Sequence, residues 1–317
     1  MVRAVVALLG LLVAGAPALA QQVAPPASVP GKPAARPAAA GPVPAKELFG
    51  RADGPAPLAA RSIGFYSKGC LAGAEALAVN GPSWQGPSWQ GPSWQVMRLS
   101  RNRNFGHPDL VDFLERFAAQ VPKVSSWQGI LVGDMSQPRG GPMLTGHASH
   151  QIGLDADIWL TPSPGRELSR EEREQLSATM MVRADRRDID PANWRPDHWK
   201  VVRAAALDPR VERIFVNAAI KKALCRDASG DRSFLAKVRP YWGHDYHMHV
   251  RLTCPAGNPE CRPQEAPPTG EGCGSELDWW FTDEVLHPKP EKEPAKPRPP
   301  LTLADLPEAC AAVLGAR

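Results

Sequence analysis

Two short stretches of the chain alternate apolar and polar residues with a period of two. From 154 to 160, Leu154, Ala156, Ile158 and Leu160 alternate with Asp155, Asp157 and Trp159. From 246 to 252, Tyr246, Met248, Val250 and Leu252 alternate with His247, His249 and Arg251. Side chains two apart on a strand share a face. Each stretch therefore predicts a strand that turns an apolar face to the core and presents an Asp or His pair on the other. Helical patterning appears elsewhere. Pro108 can open a helix running to about 119, with Leu110, Phe113, Leu114 and Phe117 on one face. Ser169 and Glu172 form a capping box for a helix reaching about Val182. Residues 199–207 read as a helix stopped by Asp208-Pro209, and 218–225 as another. Residues 130–132 and 213–217 read as strands. Helix and strand mix without a regular crossover repeat, which predicts an α+β fold with a mostly antiparallel sheet flanked by helices.

The ends of the chain have a different character. Arg3, an apolar run from Ala4 to Gly15 and the small-x-small Ala18-Leu19-Ala20 make 1–20 a signal peptide, implying export to the periplasm. The apolar run is shorter than the roughly 20 residues a membrane span needs, and no later stretch is apolar enough. Residues 21–58 are rich in Ala and Pro and read as a flexible leader. A second Pro- and charge-rich tract begins at 287, leaving 59–286 as one sizeable domain. Cys310 beyond that tract ties the tail, 287–317, back onto it.

The six cysteines, Cys70, Cys225, Cys254, Cys261, Cys273 and Cys310, suit an exported chain held by disulfides. Cys254 and Cys261 flank a short loop and could close it; composition leaves the other pairings open. No Cys-x-x-Cys spacing is present, so thiolate metal or redox chemistry is not expected. A net charge of +4, well mixed along the chain, provides no nucleic-acid footprint. GPSWQ occurs three times in tandem, at 81–85, 86–90 and 91–95. Trp84, Trp89 and Trp94 could form an aromatic binding loop; a duplicated surface segment is the simpler reading, because loops accept insertions at small entropic cost.

The chemistry concentrates in the histidines. Five of the eight fall in two short segments, His147 and His150 before the first alternating stretch and His244, His247 and His249 in and beside the second. Brought together, the two strands would converge imidazoles and carboxylates, a donor set suited to zinc with a position left for water. Gly153 lets the chain turn between His150 and Asp157. Periodicity alone leaves open Asp155 against Asp157 and His247 against His249.

LSRNRNFGHPDLVDF (99–113), GDMSQPRGGPMLTGHASHQIGLDADIW (133–159), RIFVNAAIKKALC (213–225) and HMHVRLTCP (247–255) resemble the penicillin-insensitive murein endopeptidase family. That family belongs with zinc peptidases that include D-Ala-D-Ala dipeptidases and hedgehog-like domains. The resemblance spans about 60–285. It implies that His150, Asp157 and His249 hold a zinc ion, that His247 is the base or transition-state stabiliser, and that His244 and His147 support the site. It also implies hydrolysis of D-alanyl–meso-diaminopimelyl cross-links in peptidoglycan. Some members carry a second metal at a subunit contact, which implies a homodimer; the matching residues here are His147, Asp185 and Asp188, with Asp188 standing where the family has a histidine. The cysteine positions imply the pairs Cys70–Cys310, Cys225–Cys273 and Cys254–Cys261. The family has one copy of the GPSWQ stretch, so two copies here are additional. No Ser-x-x-Lys motif is present for a β-lactam to acylate, in keeping with penicillin insensitivity. A dipeptidase or carboxypeptidase would share the metal skeleton, a wall-binding module would share the scaffold, and a metal carrier would need only the clustered ligands.

Overall fold

The computed structural model describes residues 41–86, 89–289 and 299–317. The signal peptide expected at 1–20 and the first half of the expected leader lie outside them. The strands are β1 (Arg61–Phe65), β2 (Lys68–Ala72), β3 (Glu75–Ala76), β4 (Ser83–Gly86), β5 (Trp89–Pro92) and β6 (Trp94–Val96). There follow β7 (Phe105–Gly106), β8 (Ile130–Val132), β9 (Asp155–Trp159), β10 (Val211–Val216), β11 (Val238–Pro240) and β12 (His247–Leu252). The α-helices are α1 (Ala45–Phe49), α2 (Pro108–Val124), α3 (Arg170–Gln175), α4 (Pro196–Ala206), α5 (Ala218–Asp227), α6 (Ser275–Asp278), α7 (Asp283–Leu286) and α8 (Ala309–Gly315).

Six strands make the central sheet, in the order β11-β10-β12-β9-β8-β6. The three inner pairings are antiparallel and the two outermost are parallel. The α+β expectation with a mostly antiparallel sheet therefore holds. The alternation seen in the sequence sets the packing. Ala156, Ile158, Met248 and Val250 are fully buried in the main core beneath the sheet, together with Phe113, Phe117 and Val121 from α2 and Val201, Val202 and Ala205 from α4. Phe113 and Phe117, one helical turn apart, stack with ring centroids 5.7 Å apart.

Several boundaries differ from the periodicity reading. Helix α2 runs through Pro122 to Val124, because Val121 still buries against the core and the Ser125 amide and hydroxyl both reach its carbonyl. The capping box of α3 is present, but the helix stops at Gln175 rather than near Val182. The Arg98 guanidinium donates to the carbonyls of Arg173, Glu174 and Leu176, satisfying the groups that a continuing helix would use. The leader was expected to extend to 58; instead Ala45, Phe49 and Ala56 are buried in a second core with Ile63, Leu306 and Val313. That second core joins the hairpin β1–β2 to α8, and the Cys70–Cys310 disulfide locks the two together. The other disulfides are Cys225–Cys273 and Cys254–Cys261, so all three pairings are those the resemblance implies.

The GPSWQ copies have two fates. Strands β4 and β5, drawn from the first two copies and the start of the third, pair as a two-stranded hairpin apart from the main sheet. The remainder of the third copy is β6, the edge of the central sheet, with Trp94 buried and its indole N–H donated to the Ala78 carbonyl at 2.8 Å. The Gln95 side chain is fully buried, bonded to Ser163, Leu168 and Arg173. That copy is part of the frame, which neither the binding-loop reading nor the tolerated-duplication reading anticipates.

Candidate metal centre

Strands β9 and β12 pair antiparallel, with His249 directly opposite Asp157, Arg251 opposite Asp155 and His247 opposite Trp159. One face of this ladder thus carries two carboxylates, two imidazoles and a guanidinium, all buried. The register separates the two carboxylates by their partners. Arg251 grips Asp155, with Nε–Oδ1 2.7 Å and Nη2–Oδ2 3.0 Å, and the His150 backbone N–H donates to Asp155 Oδ2 at 3.0 Å. Asp155 is a neutralised structural group. Asp157 has no guanidinium partner among the described residues.

Around Asp157 the imidazoles converge. His150 Nε2 lies 3.4 Å, His247 Nε2 3.5 Å and His249 Nδ1 3.3 Å from the same oxygen, Oδ1. None of these contacts has hydrogen-bond geometry: Asp157 Oδ1 and both ring nitrogens of His150 are buried without a hydrogen-bond partner among the described residues. Buried polar atoms are nearly always paired. Lone pairs facing one another across such a gap are the donor arrangement that a divalent cation satisfies. Among the described residues, His147, His150 and Asp157 are the group of donors close enough to share one ion. The residues fit a metal.

The backbone is bent to make this convergence. His150 and His244 hold φ values of 66° and 59°, a left-handed conformation costly for a residue with a Cβ. Gly153 has φ 74°, and a Cβ there would lie 2.5 Å from Leu71 and 2.8 Å from the His107 amide. The turn expected at Gly153 is present, and only glycine fits it. Gln151 pins this turn to the β1–β2 hairpin: its amide N–H donates to the Tyr66 carbonyl, and its side chain bonds the Ser67 carbonyl and the Gly69 N–H.

Electrostatics follow from burial. Burial pushes His150 and His247 below the ordinary imidazole value, with Asp157 opposing, which favours the neutral rings that ligation and base chemistry require. Burial and the neighbouring His247 and His249 push His244 down to about 4. Its Nδ1 lies 2.8 Å from the Trp242 carbonyl, so that nitrogen carries the proton and Nε2 is the acceptor. Burial also opposes a charge on His249, but Asp155 and Asp157 outweigh it and lift that ring to about 9. A divalent cation beside Asp157 would displace that proton. Asp157 itself lies well below the usual carboxylate range: burial works against ionisation, and His247 and His150 overcome it.

Asp134 is a supporting residue that sequence reading did not single out. Its Oδ2 accepts from Arg103 at 2.8 Å and Arg101 at 2.9 Å, and lies 2.9 Å from His147 Nε2. Proton sharing there leaves His147 Nδ1 facing Asp157 Oδ2 at 3.5 Å. His147 was expected to group with Asp185 and Asp188. Within the chain His147 lies against Asp134 and Asp157, Asp185 pairs with Arg183, and Asp188 pairs with Arg226 and Lys222. The signal for Asp134 was its place just after the buried strand β8, at the mouth of the sheet.

A sequence model described as penicillin-insensitive murein endopeptidase matches residues 62–315. The chain belongs to that family. Penicillin-insensitive murein endopeptidases of Klebsiella pneumoniae and Escherichia coli are each 44% identical to it, over 256 and 257 residues. The matches cover 80% of this chain and 86% and 89% of those relatives. The relative from Pectobacterium atrosepticum is 44% identical over 255 residues, 80% of this chain and 84% of its own length. Beside those donors a cleft of about 300 Å³ opens, lined by Arg101, Asp134, His147, Trp159, Tyr246 and His247 among others. The cleft opens directly onto Asp157 and His247.

Proposed function

We propose that this chain is an exported, zinc-dependent murein endopeptidase that hydrolyses D-alanyl–meso-diaminopimelyl cross-links in peptidoglycan. The observation that carries the reading is Asp157 Oδ1, buried and unpaired among three imidazoles, in a chain of this family. His150, Asp157 and His249 would hold the ion, the set the family resemblance implies, with His249 Nδ1 3.3 Å from Asp157 Oδ1; His147, which forms the tighter donor group with His150 and Asp157, would be a further donor. When bound, zinc acts as a Lewis acid that makes water nucleophilic near neutral pH and polarises the scissile carbonyl.

The chain's own residues do the rest. His247 borders the cleft and is kept neutral by burial, so it can accept the proton of an attacking water and return it to the departing amine. His244, its ring centroid 4.8 Å from that of His247, keeps a neutral neighbour beside the base. The pair Asp155–Arg251 fixes the His150 backbone and the register of β12, which holds the donors in place. No serine nucleophile takes part, so no acyl-enzyme forms for a β-lactam to trap. Three disulfides suit an oxidising compartment, which supports the periplasm as the site of action. No helix among the described residues is long and apolar enough to cross a membrane.

The test is incubation of the mature chain with purified cross-linked muropeptide dimers, with and without chelator, and with penicillin in parallel. Conversion of dimer to monomer that chelator stops and penicillin leaves untouched is the expected result. Intact dimers from a protein shown to contain zinc would favour a dipeptidase or a binding module.

A further inference from the structure

The cleft beside the donors has a second chemical character that the reaction above does not use. Its wall carries Arg98 and Arg101, ahead of and within a single 3-10 turn, Leu99–Arg101. That turn is bracketed by left-handed backbone at Arg98, φ 56°, and Asn102, φ 52°. Among the described residues, five non-glycine positions have positive φ: these two, His150, His244 and Arg186. Four of the five therefore lie among or beside the donors or on this turn. Left-handed backbone is costly for L-residues and gathers where a function over-determines it. The turn is held in an unfavourable shape next to the chemistry.

Charge at the turn is incompletely balanced. Asp134 offers one oxygen, Oδ2, to both Arg101 and Arg103. Arg103 is buried and also donates to the Thr145 carbonyl, whereas the Arg101 side chain is 47% exposed. Asp134 is the only ion-pair partner of Arg101 among the described residues. Arg98 lies over the Trp159 ring, 5.4 Å from its centroid, and its guanidinium donates to backbone carbonyls rather than to a carboxylate. Glu174 lies nearby, but its two oxygens accept from the amide and hydroxyl of Ser100. The outer edge of Arg101 is thus a planar donor fork facing the cleft.

We propose that Arg101 binds a substrate carboxylate in this cleft, with Arg98 adding positive potential, so that the enzyme selects cross-links carrying a free carboxylate beside the scissile amide. The assignment rests on the murein endopeptidase reading. In a D-alanyl–meso-diaminopimelyl link, the carbon bearing the scissile nitrogen also bears a free carboxylate. That group must come close to Asp157, and an anion entering there needs a cation to receive it. A guanidinium presents paired N–H donors in the plane a carboxylate requires, and does so better than an ammonium. Loss of Arg101 leaves Asp134 still paired with Arg103 and His147, so the fold has no need of it.

The experiment compares two muropeptide dimers, one with that carboxylate free and one with it converted to a carboxamide, each digested by the full mature chain and by R101Q and R101K. The wild type is expected to prefer the free carboxylate by about 10–100-fold in kcat/KM, mostly through KM, the range of a hydrogen bond to a charged group. R101Q should lose that preference by slowing on the free acid while keeping its rate on the amide and its zinc content, with R101K intermediate. Equal cleavage of both dimers by the wild type overturns the proposal without any variant, as does an R101Q that keeps the preference. Cleavage of neither dimer by zinc-loaded wild type would instead bring down the endopeptidase reading on which it stands.

Discussion

Two neighbouring positions of the β9–β12 ladder each set a buried carboxylate opposite a basic side chain, and they behave in opposite ways. At one end Asp155 meets Arg251 across the strands, and every charge has a partner. One pleat further, Asp157 faces His249 and two more imidazoles without a guanidinium or a hydrogen bond to its inner oxygen. A buried charge left so is expensive unless something else neutralises it. The contrast shows how a fold separates a structural carboxylate from a ligand: both are buried, both are ionised and both touch His249 at 3.3 Å, and only Asp155 has a guanidinium of its own. The first end holds the geometry that the second end uses.

Four changes break or sharpen that contrast, taken in order of expected effect. D157A should abolish metal binding and reduce muropeptide cleavage far beyond the roughly 10–100-fold that a supporting residue carries; metal analysis and turnover on the same sample check it. H247A should keep the metal and lose about 10²–10⁴ in kcat, the range of a general base, read from kcat with zinc content as the control.

R251M acts on the other end. It strands Asp155 in the interior and should cost about 3–5 kcal/mol of stability by denaturant titration. It should also change the pH dependence. In the native chain burial opposes ionisation of Asp155, yet Arg251 and His249 hold its pKa well below 3.8. A depressed carboxylate contributes stability that is present above its unfolded value and lost as pH falls through the folded one. Wild type should therefore lose stability progressively below about pH 4, and R251M should lose much less over that window. Last, deletion of 81–90 joins Asn80 to the third GPSWQ copy and keeps β6. It should shift stability by no more than about 0.5 kcal/mol and leave cleavage unchanged; a fall in activity would bring the hairpin into the substrate groove.

Much of the site was legible before the fold was known, because strand periodicity is a local property. Asp155 and Asp157 on one face, and His247 and His249 on one face, follow from a period of two. What remained closed was the pairing between strands. That Arg251 sits opposite Asp155 and His249 opposite Asp157 depends on register, set by the whole sheet, and only register separates the two carboxylates. The support from Asp134 was hidden for the same reason: it reaches His147 across 13 positions of chain through a loop with no repeating pattern. The end of α3 was misread because its stop signal is Arg98, far away in sequence, rather than a local glycine or proline. The buried start of the domain at Ala45 was missed because small alanines and a lone Phe49 carry almost no pattern until α8 is brought over them.

The most direct measurement is the zinc content of dialysed wild type, D157N and D155N after loading with the metal. Each substitution keeps the shape of its side chain and removes one charge from one end of the ladder. One zinc per chain in wild type, none in D157N and one in D155N is the expected pattern. Zinc retained in D157N and lost from D155N would place the ligand at the other end and contradict the account.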